Sequence, residues 1–284
     1  MLVIMGYVTV ALSVFGGFAL SGGYLGALYQ PVELLIIGGA ALGSFFVSNS
    51  SATIKATFKA VPMLFKGIKY TKESYMEVLA LLYELLVKVR KEGLMSIEND
   101  VESPIDSPIF YKFPNVLKDH HLVEFISDYL RIMVSGNLNS MEIENLMDLE
   151  IETLHHETLE PAHVIGELAQ AMPAFGIVAA VMGVVHTMGS LGLPPAELGI
   201  LIGGALVGTF LGILIAYGFV GPLERLLKQK AEETNKMLLT IKVSLLAHLN
   251  GYPPAMVVEF GRKALYLSER PSFIELEKHI RTKR

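Results

Sequence analysis

The groups in this sequence best equipped for chemistry are its histidines, and their spacing argues against a catalytic or metal role. His120-His121 and His155-His156 are adjacent pairs. Neighbouring side chains on a helix point to different faces, so neither pair readily shares a metal ion. No glycine loop with a following lysine, no dinucleotide fingerprint and no His-Glu-x-x-His pair is present. Cysteine is absent, which removes disulfide and thiolate chemistry. The sequence is read as a non-enzyme with no catalytic residues, no bound metal and no cofactor. His186 stands apart, because it lies in a long apolar run; it is either a neutral imidazole bonded to a neighbouring helix or a member of a proton relay.

That run extends from Ala171 to Pro222 and organises the chain: PAFGIVAAVMGVVHTMGS, a turn at Leu191 to Leu198, then ILIGGALVGTFLGILIAYGFVGP. Each half holds about 20 apolar residues, enough to cross the roughly 30 Å hydrocarbon core as a helix. His186 and Glu197 are the hairpin's only ionisable groups. No carboxylate of the hairpin reaches mid-membrane, so an ion-carrying group is expected from another chain. Gly204, Gly208 and Gly212 recur every four residues and give the fourth span a smooth face; Ala179, Ala180 and Gly183 do the same for the third. Pro173 implies a helix start or a kink, and Pro222 mirrors it at the far end. Thr209 adds a hydroxyl that either bonds back to its own helix or lines a wet path.

Composition agrees with a membrane protein: 52% hydrophobic residues, 18% charged and a mean hydropathy of +0.48. Leu2 to Leu20 is a first span, with no basic segment or cleavage site of a signal peptide. Pro31 opens a second, from Val32 to Val47. The 23 Lys and Arg residues fall in two blocks, Lys55 to Arg131 and Arg225 to Arg284, with none in either short connection between spans. By the positive-inside rule both blocks are cytoplasmic, which gives four spans, both termini inside and a very short N-terminal stub at Met1.

The fold expected is therefore an all-α membrane protein. Spans 1 and 2 occupy residues 1–50, a helical cytoplasmic domain 51–166, spans 3 and 4 167–222, and C-terminal cytoplasmic helices 223–284. Within the domain, Thr71 is expected to cap a helix ending at Gly93. Pro104, Pro108 and Pro114 mark a looser stretch. Asp119 to Gly136 reads as a helix, and Asn139 with Glu142 as a capping box for another that continues past Pro161. After Pro222 a helix runs to Asn250-Gly251, followed by one more helix and a polar tail.

Six segments carry a resemblance. PAFGIVAAVMGVVHTMGS, VGTFLGILIAYGF, VEFGRKALYLSERPSFIELEKHIR, MLVIMGYV, GGYLGALYQPVELLIIGGA and ALLYELLVKVRKEGL resemble the MotA family of flagellar motor stator proteins, over essentially the whole chain. The resemblance implies a subunit of the bacterial inner membrane that forms a ring, five copies in the family, around two copies of MotB. MotB would supply the ion-carrying aspartate, and ion flow would drive rotation. It places Pro173 and Pro222 on the prolines that couple ion passage to movement, and Arg90 and Glu98 on charges that meet the rotor protein FliG. Ala180 falls where sodium-driven members carry a threonine, which implies a proton as the ion. No nucleic acid partner is implied. The related ExbB and TolQ energisers have three spans, which argues against them. A transporter or intramembrane enzyme would need charged groups of its own in the membrane, whereas a non-conducting scaffold stays open.

Overall fold

The computed structural model describes residues 2–67, 69–190 and 192–283; the expected stub at Met1, and Leu191 of the expected turn, lie outside them. Every regular element among these residues is helical. In chain order the α-helices are α1 (Leu2–Ala11), α2 (Gly17–Leu20), α3 (Pro31–Ser48), α4 (Ser51–Met63), α5 (Lys72–Glu92), α6 (Glu98–Glu102) and α7 (Pro108–Tyr111). There follow α8 (Pro114–Leu117), α9 (His120–Ser135), α10 (Ser140–Met188), α11 (Pro195–Ile213), α12 (Gly221–Leu249), α13 (Pro254–Ala264) and α14 (Phe273–Lys283). A π-helical turn at Leu12–Gly16 joins α1 to α2, and another at Leu214–Val220 joins α11 to α12. Four of the resulting helical runs are long and apolar enough to cross a bilayer: Leu2–Leu20, Leu25–Ser48, Ser140–Met188 and Pro195–Leu249.

Two compact units share the chain: residues 1–67 with 157–229, and 68–156 with 230–284. The first holds the spans. Its buried apolar clusters are small, with Ile37, Ala179, Val207 and Leu211 forming one and Leu64, Ala162, Ile165 and Leu227 another. Large apolar side chains such as Leu35, Val47, Val185, Ile200 and Leu206 face outward. Exposure of that kind suits lipid rather than water.

The second unit has an ordinary hydrophobic core. Helix α5 is buried on every side from Glu77 to Leu82, and on one face beyond, where Leu85, Leu86 and Val89 follow at a three-and-four spacing. Thr71 caps it as expected, in a capping box with Ser74. Gly93 ends it at φ +89°, a conformation that costs a side-chain-bearing residue dearly. The stretch from Pro104 is more ordered than expected, since Pro108 and Pro114 each open a short helix. Asn139 and Glu142 form the expected reciprocal box: the Asn139 amide donates to Glu142 Oε2 at 2.8 Å, and the Glu142 amide to Asn139 Oδ1 at 3.0 Å. Tyr129 donates to Glu150 at 2.7 Å and Lys242 pairs with Asp148 at 2.6 Å, tying α9 and α12 to the start of α10. Burial would raise the Asp119 carboxyl, but hydrogen bonds from Lys69 and Tyr70 hold it below the usual range.

Two expectations are corrected. Residues after Arg270 are not a polar tail: Leu276 and Ile280 of α14 are buried in the core, and the helix start is fixed by the Ser272 amide donating to Glu275 Oε2 at 2.6 Å. Glu197 lies in the first turn of α11 rather than in the connection, because Pro195 opens that helix.

Gly261 shows how closely α13 is seated. A Cβ there would strike the buried Ser244 hydroxyl and lie 2.5 Å from Leu79 Cδ2. Gly261→Ala is therefore expected to destabilise this unit by about 1–3 kcal/mol. Thermal unfolding of the detergent-solubilised protein should show a lower Tm.

Candidate functional site

Helices α10 and α11 meet through backbone. A Cβ on Gly176 would lie 2.9 Å from the Gly208 carbonyl oxygen and 3.2 Å from Gly212 Cα, and one on Gly212 would lie 2.8 Å from the Met172 carbonyl. Gly183 faces Ala205, and Gly208 faces Ala179 and the Ala180 amide. Of the faces expected from the sequence, Gly208 and Gly212 meet the third span as a close crossing in lipid requires, whereas Gly204 faces the Gln30 side chain instead. Gly176, which the four-residue spacing did not single out, makes the closest of these approaches to Gly208.

The second span adds a group that sequence reasoning missed. Glu33, in the first turn of α3, directs its Oε2 to within 2.9 Å of where a Gly208 Cβ would sit. That oxygen is buried without a hydrogen-bond partner among the described residues. Only folding brings it to the hairpin, so no pattern within the hairpin could announce it.

Pro173 lies well inside α10 and does not start it. Lacking an N–H, it leaves the Ala169 carbonyl without its usual helical donor, one turn before the Gly176 contact. Pro222 is the second residue of α12, directly after the π turn. The Gly221 amide there donates to the Ala216 carbonyl, five residues back. A proline ring crowds the carbonyl four residues earlier, and the wider π turn gives it room. Tyr7 of α1 stabilises this irregular stretch: its hydroxyl donates to the Phe219 carbonyl at 2.8 Å and its ring packs on Phe219 with centroids 5.2 Å apart. Tyr7→Phe should keep the ring contact and lose about 1 kcal/mol of stability. Amide hydrogen exchange over Leu214–Val220 is expected to speed up while exchange in α3 stays unchanged.

The two threonines of the hairpin behave differently. Thr187 is buried and donates to the Gly183 carbonyl of its own helix at 2.8 Å. Thr209 is half-buried, and its hydroxyl has no hydrogen-bond partner among the described residues. Ala180, also half-buried, presents only a methyl group. His186 is exposed on the surface of this unit.

In the helical unit, the charges between Lys88 and Glu102 divide into fastened and free. Lys88 pairs with the buried Asp100 at 2.8 Å, and Ser107 donates to the other Asp100 oxygen at 2.5 Å. Arg131 holds Glu102 at 2.6 Å and Asp128 at 2.7 Å; the Glu102 bond raises its already high pKa. Arg90, Lys91 and Glu98 are exposed, and none has an ion-pair partner among the described residues. Asp100, buried between Lys88 and Ser107, is a structural anchor.

A close-packed small-residue hairpin among four candidate spans, continuous in the chain with a helical unit, defines a multi-pass α-helical membrane protein. Residues 4–93 match the family model for the motility protein A N-terminal region, and residues 118–239 that of the MotA/TolQ/ExbB proton channel family. The chain is 56% identical to motility protein A of Salmonella typhimurium over 284 residues, covering 100% of this chain and 96% of that protein. It is 57% identical to motility protein A of Escherichia coli over 281 residues, covering 99% and 95%. Chemotaxis protein LafT of Vibrio parahaemolyticus is 37% identical over 276 residues, covering 97% of each. The fold matches the solved C. jejuni MotAB structure with a TM-score of 0.79 at 23% identity, covering 95% of this chain and 98% of that one. It matches the flagellar MotAB stator complex of Bacillus subtilis at 0.73 and 24%, covering 90% and 92%.

The chain belongs to the motility protein A family. Its function is that of a flagellar motor stator subunit, and the ExbB and TolQ reading gives way, since residues 4–93 match the motility protein A N-terminal model.

Proposed function

We propose that this subunit surrounds a single-span MotB partner in a ring, five copies to two, and that protons crossing the assembly drive its rotor. The ring sits in the bacterial inner membrane with both termini in the cytoplasm. One feature of the hairpin supports this reading. Between Pro173 and Pro222 its sole carboxylate is Glu197, in the first turn of α11, while Thr209 offers a hydroxyl with no partner among the described residues. An ion carrier then comes from the partner's helix, and this chain supplies the wall.

In this reading Pro173 and Pro222 are the points where the wall bends as the ion passes, and Ala180, lacking an oxygen, favours a proton over a dehydrated sodium ion. Arg90 and Glu98, two exposed charges with no ion-pair partner among the described residues, face FliG. Exposed charges steer contact and set register more than they add affinity, which suits a contact made and broken at every step. Deleting the chain should leave flagellar filaments assembled but still. It should also co-purify with a one-span protein carrying a membrane aspartate, and normal rotation without any such partner would overturn the proposal.

A further inference from the structure

Helix α4 follows the span α3 after Asn49 and Ser50 alone, so it begins where the chain leaves the hydrocarbon core. Ser50 caps it, accepting from the Thr53 amide at 3.2 Å. One face is held against the membrane unit: Thr57 is buried, and Ala60, Val61 and Leu64 pack with Ala162, Ile165 and Leu227. That contact fixes the roll of the helix. At 100° per residue, Lys55 and Lys59 then lie one turn apart on the opposite face.

Both lysines are exposed, with apolar neighbours to either side. Phe58 is 60% exposed and Phe65 50% on one flank, and Met63 is 53% exposed on the other. The Phe58 ring packs edge-on to Phe45 of the span, with centroids 6.1 Å apart, so the aromatic flank continues the lipid-facing surface of α3. Among the described residues no carboxylate pairs with Lys55 or Lys59. Exposed aromatic rings beside unpaired lysines suit neither water nor hydrocarbon. They suit the headgroup boundary, where rings sink and ammonium groups reach outward.

We propose that α4 is a binding site for anionic lipid, with Lys55 and Lys59 holding headgroup phosphates of the cytoplasmic leaflet. Phe58 and Phe65 seat the acyl side. The partner follows from charge complementarity: two unpaired cations on a helix fixed at the membrane surface select negative headgroups over zwitterionic ones. Each lysine near an anionic leaflet is expected to raise local lipid occupancy about fivefold at low salt. The site rests on the membrane topology and not on torque generation, so it is tested without a motor.

The chain has no tryptophan, so Phe58→Trp places a single reporter in this subunit. The complex with its one-span partner is reconstituted into phosphatidylcholine vesicles containing a minor share of phosphatidylglycerol, with bromine on the acyl chains of one lipid or the other. Fluorescence of the complex lacking the reporter is subtracted. Brominated phosphatidylglycerol should quench several-fold more per mole than brominated phosphatidylcholine. The preference should vanish in Lys55→Gln/Lys59→Gln, persist in Lys55→Arg/Lys59→Arg, and fade with added salt when both lysines are present. Equal quenching by the two lipids would overturn the proposal. Quenching by neither would also overturn it, by placing α4 against protein such as a neighbouring copy.

Discussion

Pro173→Ala is expected to leave the chain in the membrane and bound to its partner while swimming nearly stops. A proline inside a helix opposes straight helical geometry by about 3 kcal/mol relative to alanine. In α10 that weak point lies one turn from the backbone contact of Gly176 with Gly208 and Gly212. Alanine restores the hydrogen bond to the Ala169 carbonyl and stiffens the helix there. If bending at this point limits the cycle, 3 kcal/mol corresponds to about a hundredfold slower step. Pro222→Ala should act the same way, by letting the π turn at Leu214–Val220 relax toward α-helix. Membrane level, partner co-purification and swimming speed together decide the matter, and unchanged swimming in both variants would remove the prolines from the mechanism.

Arg90→Glu and Glu98→Lys are expected to impair torque without altering partner binding or the fold of the helical unit. Neither side chain is spent on an ion pair among the described residues, in contrast to Lys88 with Asp100 and Arg131 with Glu102. An exposed ion pair contributes only about 0.2–1 kcal/mol, so a single reversal should slow the motor rather than stop it. Reversing both should cost more than either alone. A compensating reversal on the rotor should restore part of the torque. Torque that is untouched by either reversal, even at low ionic strength where charges are least screened, would move the force-transmitting surface elsewhere.

Much of this architecture was legible because it is written locally. Thr71, Gly93, Asn139 with Glu142, and Asn250-Gly251 set helix ends through bonds within a few residues, and the four spans declare themselves by length and apolarity. What escaped depends on folding. Helices α6, α7 and α8 are four or five residues long, too short to show a helical period. The docking of α14 turns on two residues, Leu276 and Ile280, in an otherwise charged segment. Glu33 and Tyr7 matter through contacts more than 170 residues away in the chain, with Gly208 and Phe219. For the candidate site, the sequence and its resemblance singled out the prolines, Ala180, Thr209, Arg90 and Glu98. It did not separate free charges from anchored ones, because Asp100 and Glu98 look alike until the domain packs.

The central claim, that protons passing the wall of this subunit generate rotation, is tested most directly on tethered cells in which this chain and its partner are the only stator proteins. Rotation speed is measured while external sodium is replaced at constant membrane potential, and again while a protonophore collapses the proton gradient with sodium present. Rotation that continues without sodium and stops with the protonophore is the predicted result. Rotation that stops on sodium withdrawal, or survives loss of the proton gradient, would contradict it.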